Sequence, residues 1–173
     1  MIPRLRKQPE KKNHFSREWI DNYSWVKQKN CLEILKDPKK LNPEVRKYLE
    51  EENAYTKENM KDTEGLQKKL FKEIEGRIKL DDEGLPYKDK NYEYWTKTTK
   101  EGNYFKKLRR KIGDSKIECY FDGDKEAKGK SFFSCGDLTV SYNDELLLYS
   151  IDDKGSEYFT IFVRKISDGK IVE

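Results

Sequence analysis

Between residues 42 and 80 the apolar positions recur every three or four residues, which predicts two amphipathic helices. Asn42 is a good N-cap, and Pro43 occupies the first helical position, where its missing N–H costs nothing. We expect the first helix to end near Met60, with residues 61–63 providing a break and a new cap. The apolar stripe positions, in chain order, are Val45, Tyr48, Leu49, Tyr55, Leu66, Leu70, Phe71, Ile74 and Ile78.

Residues 81–86 (DDEGLP) form the clearest boundary in the chain, since a charged run is followed by glycine and proline. Beyond it the period changes from 3.6 to 2, and residues 92–96 and 104–108 predict a hairpin with its turn at 101–103. Short strands then recur about every ten residues with Asp-Gly chemistry between them, which suggests a meander, a sandwich or a propeller and favours propeller blades. These further strands are predicted at 117–121, 138–141, 146–151, 158–163 and 170–172.

The composition indicates a thin core for this length. Charged residues make up 40% of the chain, but the formal net charge is only +4 because 37 basic residues face 33 acidic ones. Leu, Ile, Val and Phe together number only 38 of 173 residues, although 22 aromatic residues add apolar area. We therefore expect a folded domain, some of whose apolar surface is buried against something outside this chain.

The N-terminal region and the cysteines set the expected compartment. The first twelve residues carry five basic side chains and are followed by polar sequence, so no secretory signal is predicted. No stretch approaches the roughly 20 apolar residues of a membrane span. We expect no membrane association and a cytoplasmic location. Cys31, Cys119 and Cys135 lack any C-x-x-C spacing, which favours buried or inert thiols over a disulfide scaffold or a zinc site.

The sequence nominates no catalytic residue, no metal ligand and no cofactor. His14 is the single histidine and lies in a polar N-terminal arm, so a role as general base is disfavoured. The nearest approach to a nucleophile elbow, residues 129–133 (GKSFF), lacks the second glycine. Residues 122–126 (DGDKE) resemble the start of a calcium loop, but Ala127 and Phe133 stand where the loop needs glycine and glutamate. A turn between strands is the better interpretation of this segment.

Residues 106–111 (KKLRRK) are the one concentrated basic run. With Tyr104 and Phe105 beside it, the run could bind nucleic acid by stacking and phosphate pairing. The favoured alternative is a strand that displays its charges to solvent or to an acidic partner, because a pI of 8.7 is below the usual range of nucleic-acid-binding domains.

Several motifs, taken in order, resemble the N-terminal region of oligopeptidase B, a branch of the prolyl oligopeptidase family of serine peptidases. The resemblance runs from about residue 20 to the end of the chain. Family members typically show D-x-Y-x-W, then P-x-V-x-x-Y-L and E-N-x-Y. The matching segments here are residues 20–25 (IDNYSW), 42–49 (NPEVRKYL), 52–55 (ENAY), 66–78, 122–129 (DGDKEAKG) and 147–158.

This resemblance implies the fold and the function. It implies an α+β chain in which residues 1–85 form a helical arm that packs on an α/β-hydrolase domain. Residues 86–173 would then be antiparallel meanders that form about the first two blades of a seven-bladed β-propeller. The full-length protein would hydrolyse short peptides after Lys or Arg, with the propeller limiting substrate size. The catalytic residues, the hydrolase domain and the other blades would lie downstream, so this chain alone would be inactive.

The aromatic residues Trp19, Tyr23 and Trp25 are candidates for the surface that docks on the missing domain, although packing within this chain explains them equally well. A second hypothesis is a non-catalytic binding module that folds and acts alone. An unpaired blade edge would make such a module prone to association.

Overall fold

A computed structural model describes residues 2–173, which fall into two compact units: one that ends at Gly76 and one that spans Arg77–Glu173. The first unit is mainly helical. The second consists of two antiparallel sheets. This order of helices followed by antiparallel sheets confirms the predicted α+β class.

The first unit contains two strands and three α-helices. Both predicted helices are confirmed, although the second ends at Glu75 rather than near Leu80. Asn42 caps the longer helix as expected, since its Oδ1 accepts hydrogen bonds from the backbone N–H of Glu44 at 2.8 Å and of Val45 at 3.4 Å. The elements are β1 (Glu10–His14), β2 (Arg17–Asp21), α1 (Cys31–Lys36), α2 (Pro43–Asn59) and α3 (Glu64–Glu75), with 3₁₀ turns at Ser24–Val26, Pro38–Lys40 and Lys61–Thr63.

The hairpin formed by β1 and β2 corrects the expectation of a purely helical arm. Its tip residues Phe15 and Ser16 have φ angles of 47° and 60°, in the left-handed region. Hairpin tips of this kind usually carry Asn or Gly, so this sequence gave no turn signal. His14 is the last residue of β1, where it pairs with Arg17.

The first sheet of the second unit is four strands wide. β3 (Asp82–Glu83) and β4 (Tyr87–Asp89) pair with successive parts of β5 (Tyr92–Thr98), which pairs on its other side with β6 (Lys106–Lys111). β6 in turn pairs with β7 (Ile117–Asp122). Consecutive antiparallel strands of this kind form a propeller blade.

The second sheet has three full strands, β8 (Ser134–Val140), β9 (Leu146–Asp152) and β10 (Thr160–Lys165). The predicted strand at 170–172 is reduced to a single bridge, in which Ile171 pairs with Arg164 on the free side of β10.

A short helix, α4 (Gly123–Ala127), connects the two sheets where the sequence predicted a simple turn. The side chain of Asp122 accepts a hydrogen bond from the backbone N–H of Lys125 at 3.3 Å, so the aspartate acts as an N-cap. Because Asp is both a turn former and an N-cap, the two outcomes share one sequence signature.

The hydrophobic core lies between the two sheets. Phe121 of the first sheet meets Tyr149 of the second edge to face, with ring centroids 5.5 Å apart. Within the first sheet, Tyr94 packs edge to face against Tyr120 at 5.7 Å. By contrast, Val45 is the one buried hydrophobic residue among residues 2–76. The core residues are Tyr94, Tyr120, Phe121, Phe133, Leu147, Tyr149 and Ile151.

Candidate functional site

The two residues considered as catalytic candidates belong to different units, His14 to the first and Ser131 to the second. His14 is exposed, and its ring is tilted by 51° against that of its neighbour Phe15, with ring centroids 4.2 Å apart. Ser131, in the failed elbow motif, is exposed in the loop between α4 and β8. Within residues 2–173, no three His, Cys, Asp or Glu side chains are grouped so that they could hold a metal ion. In the same part of the chain, no helix is both long enough and apolar enough to cross a membrane.

The three cysteines are unlinked, and burial, one of the two alternatives predicted for them, does not apply to two of them. Cys31 and Cys119 are exposed, and Cys135 is half-buried. Desolvation raises the pKa of the Cys119 thiol, and that of Cys135 as well. Since the thiolate is the reactive form, a raised pKa favours the inert behaviour expected for these two.

Acidic side chains on the neighbouring strands pair with part of the basic run on β6, which is the second of the two predicted alternatives for it. Arg110 binds Glu93 of β5 at 2.5 Å, and Lys106 binds Asp122 of β7 at 3.3 Å. Arg109 is only 5% exposed. The acidic partner that the sequence predicted for this run is therefore its own sheet, which weakens the nucleic-acid hypothesis.

Arg109 is the centre of a polar cluster at one end of the two sheets. Its Nε donates to Glu118 Oε2 at 2.7 Å, and its guanidinium lies 4.3 Å from the ring centroid of Tyr92. Burial lowers the pKa of Arg109, but the hydrogen bond and the charge of Glu118 outweigh it, so that pKa lies above the usual value. Arg109 therefore stays charged although it is buried.

The same cluster contains a buried carboxylate. Asp144, in the turn between β8 and β9, accepts hydrogen bonds from Tyr94 Oη at 3.1 Å and from Asn91 Nδ2 at 2.9 Å. Burial, followed by the hydrogen bond to Asp144, raises the pKa of Tyr94 to about 12. Arg109 also contributes to the wall of an open cleft of about 630 Å³ beside this cluster, with Lys111 and Lys165 on its rim.

A second arginine lies elsewhere between the sheets. Arg164 of β10 binds Glu126 of α4 at 2.5 Å. Its guanidinium lies 4.9 Å from the ring centroid of Tyr149 and 5.7 Å from that of Phe121. Sequence reasoning missed both arginine clusters, because they join distant segments. Arg109 and Asp144 are 35 positions apart, and Arg164 and Tyr120 are 44 positions apart.

One face of α3 is apolar and uncovered. None of its residues is buried, and the stripe side chains Leu66, Leu70, Phe71 and Ile74 are between 45% and 66% exposed. A contiguous apolar face of this kind marks an interaction surface.

The three aromatic candidates for a docking surface do not behave alike. Trp25 packs within the chain, since its Nε1 donates to the carbonyl oxygen of Arg6 at 3.1 Å and the guanidinium of Arg6 lies 5.1 Å from its ring centroid. Trp19 and Tyr23 are 47% and 44% exposed. These two side chains keep apolar surface available, whereas Trp25 is used internally.

Comparison with known families and curated proteins gives consistent results. Residues 3–173 match the family described as "Prolyl oligopeptidase, N-terminal beta-propeller domain". Dipeptidyl aminopeptidase BI of Pseudoxanthomonas mexicana is 29% identical over 168 residues, which cover 88% of this chain and 22% of that protein. Protease 2 of Moraxella lacunata is 21% identical over 158 residues, covering 88% of this chain and 21% of that protein. The chain thus spans about a fifth of the length of these relatives.

Solved structures show the same fold. Oligopeptidase B from Leishmania major superposes with a TM-score of 0.81 at 25% identity, over 98% of this chain and 25% of that one. Oligopeptidase B from Trypanosoma brucei, with covalently bound antipain, gives a TM-score of 0.78 at 23% identity, over 99% of this chain and 26% of that one.

Proposed function

Since this chain belongs to the prolyl oligopeptidase family, as its N-terminal β-propeller region, we propose that the complete polypeptide is a serine oligopeptidase that hydrolyses short peptides. The observation that carries the proposal is the superposition on an oligopeptidase B over 98% of the chain. Hydrolysis would proceed by acyl transfer at a serine activated by histidine and aspartate. We assign these three residues to the part of the polypeptide outside residues 1–173, and we expect residues 1–173 alone to be inactive.

Within that protein, residues 1–85 pack on an α/β-hydrolase domain. The uncovered face of α3 supports this assignment. Its leucine and isoleucine side chains stabilise the protein only if another surface removes them from water. The single buried hydrophobic residue Val45 in residues 2–76 supports it too, since so small a core contributes little stability.

Residues 86–173 form about the first two blades of a seven-bladed propeller. The four-strand width of the first sheet supports this division, and so does the bridge from Ile171 to β10, which starts a fourth strand on the second sheet. The outer face of the second sheet carries exposed Leu148 and Ile161, which a third blade would cover. The propeller so completed would admit only short peptides to the active site.

We further propose cleavage after Lys or Arg, on the basis of the likeness to oligopeptidase B. The relative named dipeptidyl aminopeptidase BI makes removal of dipeptides from a free N-terminus the competing specificity. A cytoplasmic location stays a prediction.

The test is a fluorogenic substrate series with the protein made from the complete reading frame. The three substrates are a blocked peptide that ends in arginine, a blocked peptide that ends in proline, and an arginine dipeptide with a free amino group. We expect the blocked arginine substrate to give the highest kcat/KM, and residues 1–173 alone to be inactive on all three. A higher kcat/KM for the dipeptide with a free amino group would favour the dipeptidyl aminopeptidase specificity over cleavage within blocked peptides. Absence of hydrolysis of all three by the complete protein, or a stop codon directly after Glu173, would overturn it.

The non-catalytic binding module has one observation in its favour: the second unit has its own core of seven buried residues. It predicts that residues 1–173 melt cooperatively as a monomer. Aggregation of the isolated chain would instead support the larger enzyme, because uncovered apolar faces and free strand edges promote association.

A further inference from the structure

Each of the two sheets contributes one arginine that donates to a backbone carbonyl of the other sheet or its turn. Arg109 is buried and Arg164 is half-buried. Arg109, in β6 of the first sheet, donates from Nη1 to the carbonyl oxygen of Asp144 at 2.7 Å. Arg164, in β10 of the second sheet, donates from Nη2 to the carbonyl oxygen of Tyr120 in β7 at 3.0 Å. The two contacts run in opposite directions across the same interface, so the arrangement is reciprocal.

Both guanidinium groups are also held by contacts other than the one to the opposite carbonyl. Glu118, in the strand next to Arg109, neutralises that arginine, and Glu126 of α4 neutralises Arg164. Aromatic rings contact each guanidinium plane. Tyr92 and Tyr120 lie beside Arg109, and Phe121 and Tyr149 lie beside Arg164. A guanidinium suits this role because its planar fork can bind a carboxylate and still donate elsewhere.

The acceptors are backbone carbonyls, which makes the contacts sensitive to the position of the opposite strand. A hydrogen bond weakens steeply once its length or angle departs from the favoured range. Arg109 is 5% exposed and the side chain of Arg164 is 14% exposed, so loss of the carbonyl partner would leave a charged donor with little access to water. A change in the angle between the sheets would therefore disrupt both contacts.

We propose that Arg109 and Arg164 are positioning residues that clasp the two sheets at one fixed angle, and that this clasp keeps the propeller wall closed to long peptides. The second half of the proposal rests on the proposed function, whereas the first half does not.

Arg110 provides a matched control. It lies next to Arg109 in β6 and binds Glu93 of β5, and its guanidinium lies 5.9 Å from the ring centroid of Trp95. All three residues belong to the first sheet, so Arg110 makes an ion pair and a ring contact without crossing the interface.

The first experiment is hydrogen exchange, read by mass spectrometry, on the complete protein carrying R109M, R164M, both changes, or R110M. We expect R109M to raise exchange about tenfold or more in residues 141–146, and R164M to do so in residues 117–122, since hydrogen bonds to charged groups are among the strongest. The double variant should raise exchange at both places by more than the single changes combined, because either clasp alone still holds the angle. R110M should match the parent protein at both places.

Equal effects of R110M and R109M, or full protection in the double variant, would overturn the clasp. If a methionine variant fails to fold, R109K and R164K replace it, because lysine keeps the charge and loses the fork. With lysine the same local pattern of increased exchange is expected, and its absence counts against the clasp in the same way.

The second experiment measures size selectivity in the same proteins. We expect the double variant to raise kcat/KM for a 40-residue arginine-containing peptide relative to a five-residue peptide, with hydrolysis of the short peptide unchanged and R110M unchanged. An unaltered ratio despite increased exchange would overturn the selectivity half alone. If the complete protein hydrolyses neither peptide, the proposed function fails, and the exchange data still decide whether the clasp exists.

Discussion

Asp144 accepts a hydrogen bond from the hydroxyl of Tyr94 at 3.1 Å, and this contact joins the turn of one sheet to a strand of the other. Asp144 has a φ of 62°, in the left-handed region where glycine is the usual residue. Asparagine and aspartate tolerate this region better than other side chains do. The position thus keeps a carboxylate where the backbone alone would favour glycine, because the carboxylate binds Tyr94 and Asn91.

Replacing Asp144 with glycine separates the effect of the left-handed backbone from the effect of the carboxylate hydrogen bonds. The change relieves backbone strain, but it leaves the buried Tyr94 hydroxyl without its acceptor, at a cost of about 1–3 kcal/mol. We expect Asp144→Gly to lower the free energy of unfolding in urea by an amount in that range. Glu157→Gly is the matched control, because Glu157 has a φ of 58° and an exposed side chain. We expect the control to change stability by less than about 0.5 kcal/mol. Equal effects of the two changes would show that the Asp144 carboxylate contributes nothing.

The raised pKa of Tyr94 predicts a loss of stability in alkali. Its pKa in the folded chain is about 12, against an ordinary value near 10, so folding favours the neutral phenol. The stability that follows is fully present below pH 10 and is lost as pH rises toward 12. Tyr94→Phe should therefore show a shallower decline of the urea midpoint between pH 10 and 12. Tyr142→Phe, at a position that is 87% exposed, should keep the parent slope. Parallel curves for Tyr94→Phe and the parent would contradict the assignment.

Two glycines should respond oppositely to alanine. A Cβ at Gly65 in α3 would meet nothing within 4 Å, so Gly65→Ala should stabilise the helix by about 0.5–1 kcal/mol. A Cβ at Gly123 would lie 2.6 Å from Tyr104 Cβ and 2.9 Å from the carbonyl oxygen of Phe105. Gly123→Ala should therefore destabilise the protein by about 1–3 kcal/mol. Urea melts of both variants check the pair, and a stabilising Gly123→Ala would mean that α4 does not pack as described.

The uncovered face of α3 predicts a contrast between two lengths of the protein. In residues 1–173 alone, Leu70→Glu should change the free energy of unfolding by less than about 0.5 kcal/mol, because the side chain is already exposed. In the complete protein the same change should cost at least about 1.5–3 kcal/mol, since the hydrolase domain would bury this leucine. Lys69→Gln is a control on the same helix that leaves the apolar stripe intact. A Leu70→Glu effect that is equally small in both lengths would contradict the assigned packing.

Local signals were sufficient where one short segment carried both the pattern and its boundary. The cap at Asn42, the proline at 43 and the apolar stripe that begins at Val45 correctly predict α2, because all three act within a few residues of each other. The alternation in residues 92–96 likewise predicts β5, whose side chains point alternately to opposite faces.

Contacts between distant segments could not be predicted in this way. Three basic residues of the run on β6, Lys106, Arg109 and Arg110, pair with acidic residues on β5 and β7, and that pairing depends on strand register. The hairpin tip at Phe15 and Ser16 adopts left-handed φ angles without the residues that favour them, because the pairing of His14 with Arg17 closes a two-residue tip. Asp122 caps α4 where a turn was predicted, and its local signal could not separate the two because aspartate favours both.

The most direct test of the account is active-site labelling of the protein made from the complete reading frame. A fluorophosphonate probe that forms a covalent bond with activated serines is applied, and mass spectrometry locates the modified residue. The account predicts one labelled serine that lies outside residues 1–173, and no labelling of residues 1–173 expressed alone. A labelled serine within residues 1–173, or a complete protein that takes up no label, would contradict it.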